Sequence, residues 1–210
     1  MAGKMFQMIE NRPVVGSPVI KILLSIACFL SISTFNPGWC DFKDGATAMK
    51  SGDYELALQE WTSVALEGNK KAQYNLGVMH ADGIGTMQNY VKAAKWYLLA
   101  AKQGYGSAQY NLAVLYQHGM GVPMSTSSAL KWYHQAAENG IPEAFLPLGR
   151  AYTDGDGVPK NYSSAFIWLS LAVINGSPNA SGYLQKVRQK MTRDQIALGN
   201  KGIQDWIKKH

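Results

Sequence analysis

A six-residue motif that returns at a fixed interval constrains the fold of this chain more than any other feature. It reads Ala-Gln-Tyr-Asn-Leu-Gly at 72–77, Ala-Gln-Tyr-Asn-Leu-Ala at 108–113 and, less closely, Ala-Phe-Leu-Pro-Leu-Gly at 144–149, so the period is 36 residues. A period in this range is typical of stacked supersecondary units, none of which buries its apolar face alone. The sequence therefore predicts one continuous stack rather than separate globular domains.

Each repeat unit is predicted to be a pair of antiparallel helices. In the second unit a first helix is expected over 71–81, a glycine-rich loop over 82–85 and a second helix over 89–103. Side-chain oxygens at three equivalent positions should cap the second helices, namely Asn89, Ser125 and Asn161. Glycines just past the last turn of the second helices should adopt left-handed backbone, namely Gly104, Gly140 and Gly176. We predict an all-α fold, a right-handed alpha-solenoid of antiparallel helix hairpins.

Alanine and aromatic residues recur at helical spacing in the predicted second helices. Counted from Ala93, such residues stand at i, i+3, i+4, i+7 and i+8, which ends at Ala101. The same pattern begins again at Ala129, and a third time at Ala165, where it ends at Val173. It includes the tryptophans at 96, 132 and 168. Such a stripe predicts core packing between units, and a ligand cage built from the tryptophans and tyrosines is the alternative.

The repeats divide residues 41–210 into five segments. We predict an N-terminal capping hairpin over 41–70, full repeats over 71–106, 107–142 and 143–178, and C-terminal capping helices over 179–210. In the last segment a helix is expected over 179–191, and the capping-box residues Thr192 and Gln195 should open a final helix that reaches Trp206 and Ile207.

Pro147 departs from the pattern because it replaces the asparagine of the two earlier motifs. A proline inside a helix removes one backbone hydrogen bond and kinks or shortens the helix. Either the first helix of this unit begins later than in the other units, or the stack bends there.

The first forty residues lack the repeat and have the layout of a secretory signal peptide. An uncharged apolar run over 22–32 follows three basic residues, Lys4, Arg12 and Lys21. The run is shorter than the roughly 20 residues that span a bilayer. We predict a signal peptide over 1–40, cleavage before Asp41, and a periplasmic or secreted protein. An uncleaved N-terminal anchor and acylation at Cys28 are the alternatives.

Both cysteines, Cys28 and Cys40, lie in the segment that is predicted to be removed. The mature protein is therefore expected to contain no disulfide and no thiol nucleophile. Packing between repeats would have to stabilise it alone.

The positive charge of the chain is concentrated at its C-terminal end. The formal net charge of the chain is +6. Residues 41–185 contain ten Lys or Arg and eleven Asp or Glu, whereas residues 186–210 contain seven Lys or Arg and two Asp or Glu. A solvated cap is the simplest interpretation, and contact with a membrane surface or an acidic partner is the alternative. We predict no nucleic-acid binding, because these basic residues lack interleaved stacking aromatics apart from Trp206.

The sequence contains no recognised catalytic motif of the hydrolase-elbow, zinc-protease, Walker or dinucleotide type, and we predict no cofactor and no metal. Three histidines, His80, His118 and His134, fall at repeat positions and are interpreted as structural or exposed. A weak metal site that combines His118 with Asp82 or Asp154 is the alternative.

The strings at 108–113, 119–123 and 129–137, followed by Gly140, resemble the Sel-1-like repeat, a relative of the tetratricopeptide repeat. The resemblance covers the three full repeats, and the segment 41–70 resembles a tetratricopeptide hairpin. It implies an alpha-solenoid that holds a segment of another protein in a concave groove lined by the first helices. Some exported, cysteine-rich members are associated with muropeptide binding and weak beta-lactamase activity, but residues 41–210 lack the cysteines of that subgroup.

The resemblance also indicates which residues line the groove. In tetratricopeptide clamps an asparagine helps to hold a partner's carboxylate, and Asn75 and Asn111 stand at the matching place. Most of the supporting cations are absent, so we predict a groove in which these asparagines bind peptide backbone between apolar walls. The predicted groove residues are Tyr74, Asn75, Val78, Tyr110, Asn111, Val114, Leu146 and Arg150. The leading hypothesis is a non-enzymatic exported adaptor that binds another protein, and the alternative is a cell-wall enzyme or muropeptide-binding protein of the beta-lactamase-like kind.

Overall fold

The structure is a computed structural model that describes residues 41–210, which belong to one compact unit and whose regular structure is entirely helical. The predicted signal peptide over 1–40, with Cys28 and Cys40, lies outside the described residues. Within 41–210, ten α-helices and one short 3-10 helix at Pro142–Ala144 follow one another along the chain. The α-helices are α1 (Phe42–Lys50), α2 (Tyr54–Leu66), α3 (Lys70–Asp82), α4 (Tyr90–Lys102), α5 (Gly106–His118), α6 (Thr126–Glu138), α7 (Phe145–Asp154), α8 (Tyr162–Ile174), α9 (Ala180–Arg188) and α10 (Arg193–Lys209).

The helices form a row of hairpins. Helices α1 and α2, α3 and α4, α5 and α6, and α7 and α8 pair with each other, and each of α2, α4 and α6 also packs against the first helix of the next pair. At the C-terminal end, α9 and α10 both pack against α8. The predicted all-α solenoid is confirmed.

Side-chain caps begin the second helices as predicted. The Asn89 side chain accepts a hydrogen bond from the Lys92 backbone N–H, and Ser125 and Asn161 do the same one and two repeats later. Asp53 caps α2 in the same manner. Each cap satisfies one of the N–H groups that the first helical turn leaves without a partner. The boundaries of the second helices therefore follow from short polar side chains in the sequence.

Small side chains let the second helices lie close to their neighbours. Ala93, Ala129 and Ala165 are almost completely buried, and so are Tyr97 and Tyr133 in the same helices. The Tyr97 ring occupies the space beside Gly77 of α3, so that a Cβ at this position would overlap the ring. In this hairpin, Gly77 therefore makes room for the aromatic residue, and the small Ala113 stands at the equivalent position one repeat later.

The predicted apolar stripe is largely buried, with one exception. Trp168 lies in the core, and Trp96 and Trp132 are half-buried against the core clusters of successive units. Val173 is exposed, and the prediction that it belongs to the core was wrong. It lies in the last turn of α8, where α9 and α10 do not cover it.

The second glycine of each loop forms a close contact between units. A Cβ on Gly121 would overlap the backbone of Tyr90 and Val91, at the start of the preceding second helix. One repeat earlier, a Cβ on Gly85 would lie 2.7 Å from the Cβ of Tyr54. Gly121 also has φ of +68°, a left-handed conformation that glycine adopts without steric cost. These glycines therefore fix the spacing of successive hairpins.

Two buried glutamines connect neighbouring hairpins in a way that the sequence did not reveal. Gln73 is 4% exposed, donates to the Ala65 carbonyl at 3.0 Å and accepts a hydrogen bond from Gln103 at 2.8 Å. Gln109 and Asn139 repeat this arrangement one unit later. The available signal was an identical glutamine at equivalent places in two repeats, next to a buried alanine.

Helix α7 resolves the question raised by Pro147. The 3-10 helix over 142–144 replaces the expected first turn, and α7 begins at Phe145, so that Pro147 occupies its third residue. The N–H groups of a first turn have no partner within the helix, and a proline there costs little. The first helix of this unit therefore begins later than in the other units, which was one of the two predicted alternatives.

The C-terminal cap differs from prediction in its first helix. Helix α9 spans only Ala180–Arg188, because Asn179 has a left-handed conformation with φ of +63° and precedes the helix as its N-cap, and because the helix ends three residues before the predicted end at Met191. The predicted capping box of Thr192 and Gln195 is present, and α10 extends past Ile207 to Lys209. Its Trp206 ring lies 4.9 Å from the Trp168 ring, and Lys209 pairs with Glu138 at 2.6 Å.

The close contact at Gly121 predicts a difference between two glycines with similar backbone angles. Gly140 has φ of +76°, and no atom lies within 4 Å of the place that a Cβ would take, so Gly140→Ala carries only the backbone cost. We expect that cost to be about 1 kcal/mol, and Gly121→Ala to lose at least about 2 kcal/mol because strain and overlap combine. Urea unfolding followed by circular dichroism measures both, and equal losses would contradict the contact.

Candidate binding face of the first helices

We define the first-helix face as the side chains of α3, α5 and α7 that the adjoining helices leave at least partly exposed. The eight predicted groove residues all lie on this face, because they occupy equivalent positions 36 residues apart on the three helices. Seven of them are half-buried and Arg150 is exposed. They form three rows: Tyr74, Tyr110 and Leu146; Asn75 and Asn111, continued by Pro147; and Val78, Val114 and Arg150.

The side chain of Asn111 contacts the preceding repeat. It lies close to the hydroxyl groups of Tyr74 and Tyr97 and acts on the pKa of both. Burial raises the pKa of both phenols, and the polar side chain of Asn111 opposes part of that rise. The Tyr74 ring also lies 5.0 Å from the Tyr105 ring, between centroids. Asn111 therefore joins α5 to the preceding hairpin, in addition to any contact with a ligand.

Asn75 occupies the equivalent place on α3 but does not contact tyrosine hydroxyls of the preceding hairpin. Within residues 41–210 its side-chain amide forms no hydrogen bond, and the residue is half-buried. An asparagine amide offers two donors and an acceptor, which match the N–H and C=O groups of a peptide. The two asparagines, which occupy equivalent positions in the repeat, therefore differ in their contacts with the rest of the protein.

A pocket of about 140 Å³ lies where α5, α6 and α7 meet. Two of the eight predicted residues, Leu146 and Arg150, line it, and the other six do not. Tyr133 forms part of its wall, and its hydroxyl donates to the Gln117 side chain at 2.6 Å. The remaining lining residues are Thr126, Ala129, Leu130, Pro147, Ala151, Asp154 and Asp156. The pocket therefore combines apolar walls with charged groups of both signs.

Arg150 lies beside the C-terminal cap, a contact that the sequence did not predict. Its guanidinium carbon is 5.3 Å from the centre of the Tyr183 ring on α9. The Lys186 ammonium is 5.8 Å from the same ring. The sequence could have indicated the contact of Lys186 with Tyr183, because a spacing of three residues places both on one side of a helix.

The three predicted histidines lie in different environments. His80 is buried, and burial, followed by the charge of Lys92, lowers its pKa. Burial also lowers the pKa of His134, whose Nε2 is 3.2 Å from the Tyr152 hydroxyl. His118 is exposed. Across residues 41–210, no three His, Cys, Asp or Glu side chains gather closely enough to hold a metal ion.

The helices described here include none with the length and hydropathy needed to cross a bilayer.

Comparison with protein families matches the Sel1 repeat to residues 70–105, 106–141 and 148–177. The break before residue 148 coincides with the altered start of α7. No curated protein sequence gives a significant match.

Solved structures of other proteins share the fold, among them the following two. A Sel1 repeat protein from Oxalobacter formigenes is 32% identical, with a TM-score of 0.64, over 69% of this chain and 59% of that protein. A protective antigen present in uropathogenic Escherichia coli strains, described as displaying an SLR fold, is 24% identical, with a TM-score of 0.66, over 92% of this chain and 46% of that protein. The chain thus spans about half the length of these relatives, and the second match shows the fold alone.

The contact of Asn111 with two tyrosines predicts that the two asparagines differ in their contribution to stability. We expect Asn111→Ala to lower the free energy of unfolding by about 1–2 kcal/mol, because it removes the polar side chain that lies close to the Tyr74 and Tyr97 hydroxyls. Asn75→Ala is the matched control and should change it by less than about 0.5 kcal/mol. Urea unfolding measures both, and a loss at Asn75 that equals the loss at Asn111 would contradict the assignment.

Proposed function

Because the chain is a Sel1 repeat protein, we propose that it acts as a non-enzymatic adaptor that binds a segment of another polypeptide along its first-helix face. Sel1 repeats generally mediate protein–protein interactions, and the family is typically a non-catalytic scaffold. The proposal extends this general role to a particular surface of this chain.

The main support for the proposal is the side-chain amide of Asn75, which forms no hydrogen bond within residues 41–210 and lies between half-buried apolar side chains. Tyr74 lies before it in α3 and Val78 follows one turn later, and α5 presents Tyr110 and Val114 at the equivalent places. Partly buried aromatic side chains supply much of the affinity of protein interfaces. A free amide among them supplies hydrogen bonds to a peptide backbone and fixes its position.

The proposed adaptor is exported. The support is the layout of residues 1–40, with basic residues before an apolar run that is too short to span a bilayer. Determination of the N-terminus of the protein recovered from cells tests this, and a chain that begins at Asp41 is expected. A periplasmic or secreted location would follow from that result.

Two further roles carry less support. The beta-lactamase-like or muropeptide-binding alternative rests on the exported members of the family, and hydrolysis of a chromogenic beta-lactam by the purified protein would favour it. Contact of the basic C-terminal cap with a membrane rests on its seven Lys or Arg residues against two acidic residues over 186–210. Within this cap Lys209 already pairs with Glu138.

Site-specific photo-crosslinking in the producing cells tests the adaptor proposal. A photoreactive amino acid at Val78 or Val114 should form a covalent adduct with another polypeptide, because both positions lie on the first-helix face. Lys131, which is exposed on the second helix α6, provides the control position and should give no such adduct. Adducts of equal yield at all three positions, or at Lys131 alone, would contradict the proposed face.

Once the captured segment is known, binding to a synthetic copy measures the contribution of Asn75. We expect Asn75→Ala to weaken binding roughly two- to tenfold, the loss of one hydrogen bond, without a change in stability. Lys131→Ala should leave the affinity unchanged. Unaltered affinity in Asn75→Ala would remove that residue from the binding face.

A further inference from the structure

Arg150 and Lys186 place two positive charges against one aromatic ring at the C-terminal end of the first-helix face. Arg150 belongs to α7 and Lys186 to α9, and both cationic groups lie within 6 Å of the centre of the Tyr183 ring. Attraction to the ring holds each cation there. Tyr183 is half-buried, whereas both cations are exposed.

Neither cation has an acidic partner among residues 41–210. In this part of the chain the ion pairs within 4.0 Å are those of Glu138 with Lys209 and His210, so no carboxylate there forms an ion pair with Arg150 or Lys186. Two like charges beside one ring raise the local positive potential, and an anion that contacts either cation is attracted by both. The arrangement therefore favours a ligand with a negative charge.

The position of the pair connects it to the proposed binding face. Arg150 continues the row of Val78 and Val114, and it also lines the pocket with Leu146. Asp154 and Asp156 line that pocket as well and would repel an anion inside it. The anion is therefore expected on the Tyr183 side of Arg150, while an adjoining apolar group enters the pocket.

We propose that Arg150, Lys186 and Tyr183 form a carboxylate-binding site that anchors an acidic residue, or the C-terminal carboxylate, of the bound polypeptide. This inference rests on the proposed function, because it names the chemistry of the segment that the first-helix face binds. The guanidinium and the ammonium donate to the carboxylate, and Tyr183 positions both cations. The partner is thus an acidic segment with an apolar residue next to its anchoring carboxylate.

Selection from a displayed library of random peptides on the purified protein tests the inference. Asp and Glu, or a free C-terminal carboxylate, should be enriched among the selected peptides relative to the starting library. The enrichment should disappear on the Arg150→Gln/Lys186→Gln variant. It should persist on Lys190→Gln/Lys201→Gln, which removes two exposed charges outside the contacts of the Tyr183 ring and so controls for net charge.

A double-mutant cycle with one selected peptide makes the assignment quantitative. Replacing its acidic residue by the amide should weaken binding to the original protein roughly fivefold, as expected for a partly exposed ion pair. The same replacement should cost less than about twofold against Arg150→Gln/Lys186→Gln. Tyr183→Phe keeps the ring and should retain the affinity, whereas Tyr183→Leu should lose it, with thermal unfolding as the check on folding.

The outcomes separate the two proposals. Peptides selected without acidic enrichment, or an amide penalty that the double variant leaves unchanged, would overturn the carboxylate site and leave the adaptor function intact. Selection of no peptide at all would overturn the adaptor function and the site with it. If vesicles of phosphatidylserine and phosphatidylcholine bind in a manner that depends on Arg150 and Lys186, while peptides do not, the cations serve a lipid surface and the proposal is wrong.

Discussion

Close contact between successive hairpins is the constraint on which the rest of the structure depends. No hairpin of the repeat buries its apolar face alone, so each must approach the next closely enough to exclude water. Alanines such as Ala129 permit that approach within the core, and Gly121 permits it at the loops, where a side chain would overlap the preceding helix. Because the contact recurs every 36 residues, the first helices present equivalent side chains at regular intervals along the face that is proposed to bind a polypeptide.

Most of the fold could be predicted from the sequence because its determinants are local and repeated. Caps such as Asn89 act within one helical turn, and the alanine and aromatic stripe needs only the helical period to be recognised. The exceptions occur where the repeat changes. Asn179 adopts a left-handed backbone and so remains outside α9, and the 3-10 helix before α7 moves Pro147 into a first turn. Neither conformation leaves a periodic trace in the sequence.

The candidate site was less predictable, because its properties depend on contacts between residues that are far apart in the chain. Asn75 and Asn111 occupy identical positions in their motifs, yet only Asn111 reaches tyrosines of the preceding hairpin. Lys186 follows Arg150 by one helix pair and joins it only because α9 packs against α7 and α8. Repeat position therefore identified the face, and packing decided which of its residues are available to a ligand.

The side-chain amide of Asn75 reports most directly on the central claim, that the first-helix face binds a polypeptide. Its resonance can be followed in nitrogen-15-labelled protein while the partner segment is added. The account predicts that this resonance shifts in proportion to occupancy, together with backbone signals of α3 and α5. A saturating partner that leaves Asn75 unchanged, and shifts only signals of the second helices α4 and α6, would contradict it.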